Sequence, residues 1–237
     1  MLVLGLETST GQSSVALVGN DGVLASASLG VARRHGEFVA PAVRFCLEQA
    51  GTTADRITGV AVGLGPGLYT GLRVGIATAQ AFAAASELPV VGMSGLDVVA
   101  FQARHVRRPI CAVIDARRGE LFWALYRAVP GGVQRQSELA VSTPAHLAAE
   151  LEAIGEDCLV IGDGLARARD ELRGVGIEAA DTFDATPDAA HLAELALPRF
   201  EREETQRPTD LLPIYLRQAD AKIGWEARGR MQGGEAP

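Results

Sequence analysis

The stretch from Val62 to Ala85, VGLGPGLYTGLRVGIATAQAFAAA, starts as a glycine-rich loop and continues with a helical pattern. An apolar run typical of a buried strand, Ile57–Val62, comes directly before it. Between Arg73 and Glu87 the stretch carries no charged residue. The order strand, glycine loop, helix predicts an α/β fold, and it raises two questions. One is whether the loop binds phosphate, and the other is what covers a helix without a polar face.

The same order of elements occurs twice along the chain. In the first half the pattern predicts strands at Leu2–Leu6, Ser13–Gly19 and Val23–Leu29, a helix over His35–Ala50, the strand Ile57–Val62 and the helix that follows the loop. In the second half a strand at Ile110–Arg117, a hairpin across Pro130–Gly132, a helix capped near Thr143 and a strand from Cys158 repeat that order. Glu7 and Asp115 are 108 positions apart, as are Gly11 and Gly119. We therefore predict an internal duplication.

This duplication predicts two ribonuclease H-like α/β halves with a cleft between them. The boundary is expected near Arg104–Pro109, which gives an N-terminal half over residues 1–106 and a C-terminal half over residues 107–237. The segment Glu201–Asp210 is expected to be a solvated, charged connection, and the last residues, GRMQGGEAP, a disordered tail.

The composition excludes several classes of protein. The 237 residues are 48% hydrophobic and 22% charged, which is typical of a soluble globular protein. The net charge of -7 provides no cationic field for nucleic acid. Three cysteines without CxxC spacing indicate reduced, buried thiols and a cytoplasmic location. The N-terminus lacks the basic region of a signal peptide, and the uncharged helix is too short to span a bilayer.

The glycine loop has two interpretations. It ends in Thr70-Gly71-Leu72, without the lysine that a P-loop uses to reach phosphates, and a dinucleotide-type pattern from Gly65 fails at Thr70. Backbone amides of Gly65 and Gly67 at a helix start could still attract an anion. The alternative, which we favour, is a tight turn in which glycine allows close packing.

The acids Glu7 and Asp115 end the first strand of each half. Facing each other across the cleft, they could hold Mg²⁺ through water, while the hydroxyls of Thr8 and Ser9 could contact phosphate. Alternatively, the acids pair with Arg117 or Arg118, and the sequence leaves both interpretations open. The histidines predict no metal site, since the residue four positions after His35 is Val39.

The uncharged helix is the most informative feature. Leu72, Ile76, Ala79 and Ala83 form one stripe, and Gly71, Gly75, Thr78 and Phe82 form a second stripe without charge. An outer face of this kind usually marks an interface, and we predict a protein partner on it. In the alternative interpretation the C-terminal segment of the same chain covers the helix.

The motifs LGLETST, RRHGEFVAP, GLGPGLYTGLRVGIATAQAFA, IDARRGELFWALY and PIYLR together resemble the TsaB (YeaZ) family over nearly the whole chain. The resemblance implies the actin/hexokinase/Hsp70-type (ASKHA) superfold of two ribonuclease H-like halves. It also implies a non-catalytic accessory role beside TsaD, the paralogue that installs threonylcarbamoyl on the adenosine next to the anticodon. TsaD carries a His-x-x-x-His metal pair, and here Val39 replaces its second histidine.

The resemblance further implies that the first two helices bind TsaD, that the ATPase TsaE docks on this pair, and that the free protein forms a homodimer through the same helices. ATP and metal then belong to the partner subunits, tRNA is contacted only through the complex, and no membrane is involved. Carried over by position, the interface comprises His35, Glu37, Phe38, Pro41, Phe45, Tyr69, Thr70, Leu72, Arg73, Gly75 and Ile76. The family often has Asp at the position of Glu7, and the longer side chain weakens the case for an intact nucleotide site.

A second hypothesis is a free-standing nucleotide-dependent enzyme of the same superfold, such as a small-molecule kinase or ATPase. It requires Glu7 and Asp115 to position Mg²⁺, and either the loop Gly65–Gly71 or the loop Gly162–Gly164 to contact phosphate. Tight binding of MgATP to the isolated chain would distinguish it from an accessory subunit.

Overall fold

Two β-sheets with the same strand order form the framework of the protein. The computed structural model describes residues 1–31, 34–172, 177–179 and 185–217, and the predicted C-terminal tail lies outside these ranges. The first half comprises β1 (Leu2–Glu7), β2 (Ser13–Gly19), β3 (Gly22–Leu29), α1 (His35–Gln49), β4 (Gly59–Gly63), α2 (Tyr69–Ala85), β5 (Val90–Met93) and α3 (Gly95–Gln102), with a 3₁₀ turn at Ala54–Arg56.

The second half repeats this arrangement. It comprises β6 (Ile110–Arg117), β7 (Glu120–Val129), β8 (Gly132–Arg135), β9 (Ala140–Ser142), α4 (Pro144–Ile154), β10 (Cys158–Ile161), α5 (Leu165–Ala168), β11 (Ile177–Ala179) and α6 (Ala189–Glu201), with a 3₁₀ turn at Pro208–Asp210. The first sheet has the order β3-β2-β1-β4-β5, and the second has β8-β7-β6-β10-β11. In each, an antiparallel meander is extended by parallel strands on the side of its first strand. The two ribonuclease H-like halves predicted from the repeated pattern are therefore present.

Helices cover both faces of each sheet. Helices α1 and α2 pack on one face of the first sheet, and the other face contacts α6 and the beginning of α3. In the second sheet, α3 covers one face and α4 with α5 covers the other. All three cysteines are buried and reduced, as predicted.

Helix α6 follows the second sheet in the chain but packs against the first one. Side chains at Gly5 and Gly59 would overlap Ala189 and the Phe200 ring, so these two glycines of β1 and β4 let the helix approach closely. Its N-cap is Asp188, whose carboxylate accepts hydrogen bonds from the backbone of Ala190 and His191. The sequence pattern did not identify α3 or α6, and α6 ties the C-terminal part of the chain to the first half.

The residues that begin and end α4 are the capping residues that the sequence predicts. Thr143 accepts a hydrogen bond from His146 N, Pro144 occupies the first turn, and Gly155 ends the helix with φ of 67°.

Within the described part of the chain, none of the helices combines the length and apolar character needed to cross a bilayer.

Candidate functional site

The glycine loop between β4 and α2 is closed onto the protein itself. Leu68 N donates a hydrogen bond of 2.6 Å to Ser9 O, and Gly95 N donates one of 2.8 Å to Gly65 O. A side chain at Gly67 would overlap the carbonyl of Ser9. Gly65 has φ of +88°, a conformation that favours glycine. The loop is therefore the tight, closely packed turn of the alternative interpretation.

Glu7 lies at the carboxyl end of β1 and is fully buried. Its Oε1 accepts a hydrogen bond of 2.6 Å from Ser9 N, while Oε2 packs against Gly63 and has no hydrogen-bond partner among the described residues. Burial raises the pKa of Glu7 from 4.5 to about 7, and the nearby Asp188 carboxylate acts in the same direction. The Glu7 carboxyl group is therefore packed inside the protein and has no accessible surface.

Asp115, the corresponding acid of the second half, is neutralised by arginines. Its Oδ2 accepts hydrogen bonds from Arg117 Nη1 at 3.1 Å and from Arg167 Nε at 2.8 Å. Its backbone N–H donates to the Asp163 carboxylate. The pairing with Arg117 is one of the two interpretations that the sequence left open.

These residues do not fit a nucleotide with its Mg²⁺. Thr8 and Ser9 are buried with Glu7, at most 2% exposed, and the loop amide of Leu68 already has an acceptor. This burial does not favour the phosphate and Mg²⁺ contacts expected of Glu7, Thr8, Ser9, Gly65, Gly67 and Asp115, which stay a prediction.

The glycines of α2 face inward. Gly71 packs on the Thr8 carbonyl and Gly75 on the Thr8 hydroxyl, so a side chain at either position would overlap β1 or the residue after it. Thr8 Oγ1 also donates a hydrogen bond of 2.7 Å to Gly71 O, which fixes the helix to this strand end. The predicted outer stripe through Gly71 and Gly75 is therefore wrong, since close approach to Thr8 requires both glycines on the inside.

Four of the residues expected at the partner interface are buried within the chain. Leu72 and Ile76 belong to the apolar core and are 0% and 5% exposed, and Gly75 is buried against Thr8. His35 is 4% exposed, and its Nδ1 lies 2.6 Å from the Ser13 hydroxyl. Burial lowers the pKa of His35. These four side chains pack α1 and α2 on the sheet and provide no accessible surface.

The exposed face of α2 consists of small residues. Thr70, Arg73, Ala77, Ala81 and Ala84 recur at intervals of three or four and are all exposed, and we call them the alanine stripe. Arg73 is the one charged residue in this helix. The sequence property that suggested an interface, a helix surface almost without charge, therefore applies to a different face from the predicted one.

Helix α1 exposes aromatic side chains on its flank toward β3. Three of its side chains are exposed, namely Glu37, Pro41 and Phe45, and the relative solvent exposure of Phe45 is 47%. Phe38 is half-buried. Between α1 and the edge strand β3 lies an open groove of about 510 Å³, lined by Ala27, Leu29, Arg34, Glu37, Phe38, Pro41, Ala42 and Phe45. The residues of β3 that line this groove were not predicted from the sequence. The signal was present in LASASL, where alanines alternate with serines and leave space beside the phenylalanines.

The C-terminal segment covers one flank of α2. Gln80 Nε2 donates a hydrogen bond to Leu211 O, and the rings of Tyr69 and Tyr215 stack with centroids 5.8 Å apart. The alternative in which the chain covers its own helix therefore holds for this flank, while the alanine stripe remains exposed.

Comparison with known proteins places these features in a family. The family described as "TsaD: tRNA N6-adenosine threonylcarbamoyltransferase" matches residues 29–225. The TsaB protein of tRNA threonylcarbamoyladenosine biosynthesis from Escherichia coli (strain K12) is 31% identical over 95% of this chain and 97% of its own length. The TsaB protein from Bacillus subtilis (strain 168) is 27% identical over 95% and 98%. Among solved structures, YeaZ from Pseudomonas aeruginosa has a TM-score of 0.79 at 30% identity, covering 91% of this chain and 99% of that one.

Proposed function

The chain belongs to the TsaB (YeaZ) family of the ASKHA superfold, and from this premise we propose that it is a non-catalytic accessory subunit in the synthesis of threonylcarbamoyladenosine in tRNA. In this role it binds and activates the catalytic paralogue TsaD through α1 and α2 and recruits the ATPase TsaE. Without TsaD, two copies associate through the same helices. Contact with tRNA is made through the assembled complex.

The exposed, nearly uncharged surface of α2 and the exposed Phe45 of α1 support this proposal most directly. Ala77, Ala81 and Ala84 allow a facing helix to approach closely, because they project no long side chains. On α1, Pro41 and Phe45 add exposed apolar side chains along the groove with β3. A monomer gains nothing from exposing such a surface, whereas a complex gains about 25 cal/mol for each Å² of apolar area that it buries.

The proposed absence of catalysis is supported by the acids that end the first strand of each half. Glu7 is buried and Asp115 is paired with two arginines. Val39 stands where the resemblance to TsaD would require a second metal-binding histidine. A free-standing kinase or ATPase, the second hypothesis from the sequence, is not favoured, because the Leu68 amide of the first glycine loop donates to Ser9 O and Gly162 of the second loop packs on Val113.

A charge placed in the alanine stripe tests the proposal. Ala77→Glu puts a carboxylate at an exposed position of α2, so the fold should be retained while binding to TsaD falls at least about tenfold. Ala149→Glu is the matched control, because Ala149 is an exposed alanine in the interior of α4 in the other half. Isothermal titration calorimetry with purified TsaD from the same organism gives the affinities, and circular dichroism checks the fold.

The cellular measurement is the threonylcarbamoyladenosine content of bulk tRNA after depletion of the protein. Wild-type protein and the Ala149→Glu control should restore the modification, and Ala77→Glu should restore little of it. Normal affinity for TsaD and full restoration by Ala77→Glu would contradict the assignment of this surface.

A further inference from the structure

Two tyrosines and one arginine form an exposed cluster at the start of α2. The relative solvent exposure of Tyr69 and of Tyr215 is 49%, and their rings are stacked at an interplanar angle of 27°. The guanidinium carbon of Arg73 lies 4.1 Å from the centroid of the Tyr69 ring, which is a cation–π contact. We call these three residues the tyrosine–arginine patch. Its members come from two segments that are far apart in sequence.

The segment that carries Tyr215 is fixed on both sides of this residue. Leu211 is 1% exposed and belongs to the core beneath α2. Ile214 N donates a hydrogen bond of 2.8 Å to Leu64 O of the glycine loop. Arg217 forms an ion pair with Glu120 of the second half. Tyr215 is therefore a preorganised surface residue, and little side-chain entropy remains to be lost when a partner covers it.

Among the residues that the structure describes, no carboxylate forms an ion pair with Arg73. Its pKa is raised mainly by the Tyr215 side chain, with a smaller contribution from Tyr69, so its neighbours are phenol groups. No other charged residue lies in α2. A partner that covers this patch would complete it best with an acidic side chain, because a carboxylate accepts hydrogen bonds from the outward edge of the guanidinium.

We infer that the tyrosine–arginine patch is part of the binding surface for the catalytic paralogue, which places a carboxylate on Arg73, so that the C-terminal segment contributes Tyr215 to the interface. This inference rests on the proposed function. Stacked tyrosines and an arginine are the residue types that dominate binding energy at protein interfaces. The patch continues the alanine stripe, since Arg73 belongs to both. The interface assigned from the first two helices alone would therefore be incomplete.

Variants of the C-terminal segment test the contribution of Tyr215. Tyr215→Ala removes the stacked ring and should weaken binding to purified TsaD about tenfold or more, whereas Tyr215→Phe keeps the ring and should lose much less. Leu212→Ala is the matched control, because Leu212 lies on the same segment and is 71% exposed but outside the patch. Its affinity should stay within about twofold of wild type. Thermal unfolding of each variant shows whether the segment remains in place.

The salt dependence of binding tests the predicted carboxylate. Raising the ionic strength screens the pairing with Arg73, so the affinity of the wild-type protein should fall. Arg73→Met removes the charge, and this variant should bind more weakly at low salt and show a smaller salt dependence.

The outcomes separate this inference from the proposed function. If wild type binds TsaD, Ala77→Glu does not, and Tyr215→Ala binds as tightly as wild type, the inference is refuted while the proposed function stands. Equal salt dependence of wild type and Arg73→Met refutes the predicted carboxylate. A loss of self-association in Tyr215→Ala with unchanged affinity for TsaD would assign the patch to a second copy of the chain and would also refute the inference. No binding of wild type to TsaD would overturn the proposed function itself.

Discussion

Replacing Glu7 with glutamine should change how the stability of the protein depends on pH. The carboxyl group is fully buried, and its Oε1 accepts a hydrogen bond from Ser9 N. Glutamine has nearly the same size and keeps an oxygen for that hydrogen bond, but it cannot ionise. The substitution therefore removes the titration of this group and leaves the packing largely intact.

The magnitude follows from the pKa of Glu7, which burial raises from 4.5 to about 7. A difference of this size corresponds to about 3 kcal/mol. Because the folded pKa is the higher one, the folded state binds the additional proton between these two values. The stabilisation is fully present below pH 4.5 and is lost as pH rises through about 7. Between pH 5 and pH 8, wild type should lose about 2–3 kcal/mol of unfolding free energy relative to Glu7→Gln.

Urea unfolding followed by far-ultraviolet circular dichroism at several pH values measures this difference. Comparing wild type with the variant at each pH cancels the titration of all other groups that the two proteins share. Glu152→Gln provides the control, because Glu152 is exposed on α4 and the same substitution there changes no buried group. This control should run nearly parallel to wild type over the whole pH range.

The reasoning would be refuted by a constant stability difference between wild type and Glu7→Gln from pH 5 to pH 8. That result would mean that the Glu7 carboxylate is hydrated in the folded protein. If the unfolding free energy of wild type rose across this range relative to that of the variant, the reasoning would be refuted more strongly. That result would require folding to lower the pKa of Glu7.

Two further substitutions test the packing of the first two helices and of the central layer. Gly75→Ala should destabilise the protein by about 1–3 kcal/mol, because the new methyl group would overlap the Thr8 hydroxyl, whereas Gly36→Ala, which meets no atom within 4 Å, should be neutral or slightly stabilising. Equal urea midpoints for the two glycine variants would contradict the inward orientation of Gly75. Tyr126→Phe should cost about 1–3 kcal/mol, because it removes a hydrogen bond of 2.8 Å to the largely buried Asp97 carboxylate. A change below about 0.5 kcal/mol in urea unfolding would show that water replaces this hydroxyl.

The sequence by itself determined most of the strands, the helices α1, α2 and α4, and the duplication. The strands and helices depend on patterns within about 15 residues, such as the apolar runs that became β1 and β6 and the capping signals of α4, and the duplication follows from the repeated order of these patterns. The absence of charge from α2 also correctly indicated an unusual helix surface. Local patterns are sufficient here, because the spacing of apolar side chains along a short segment already distinguishes a strand from a helix.

Only the tertiary structure decided which side of α2 is exposed. A helix made of glycine, alanine and scattered apolar residues can turn several faces toward a sheet at similar cost, so its sequence does not fix the orientation. Thr8 fixes this orientation. It is 63 positions from Gly71 in the chain, and its close packing against α2 leaves room only for a glycine at that position. The packing of α6 on the first sheet, the burial of Glu7 and the position of Tyr215 beside Tyr69 likewise depend on contacts between distant segments. Such contacts become visible only when the whole chain is folded.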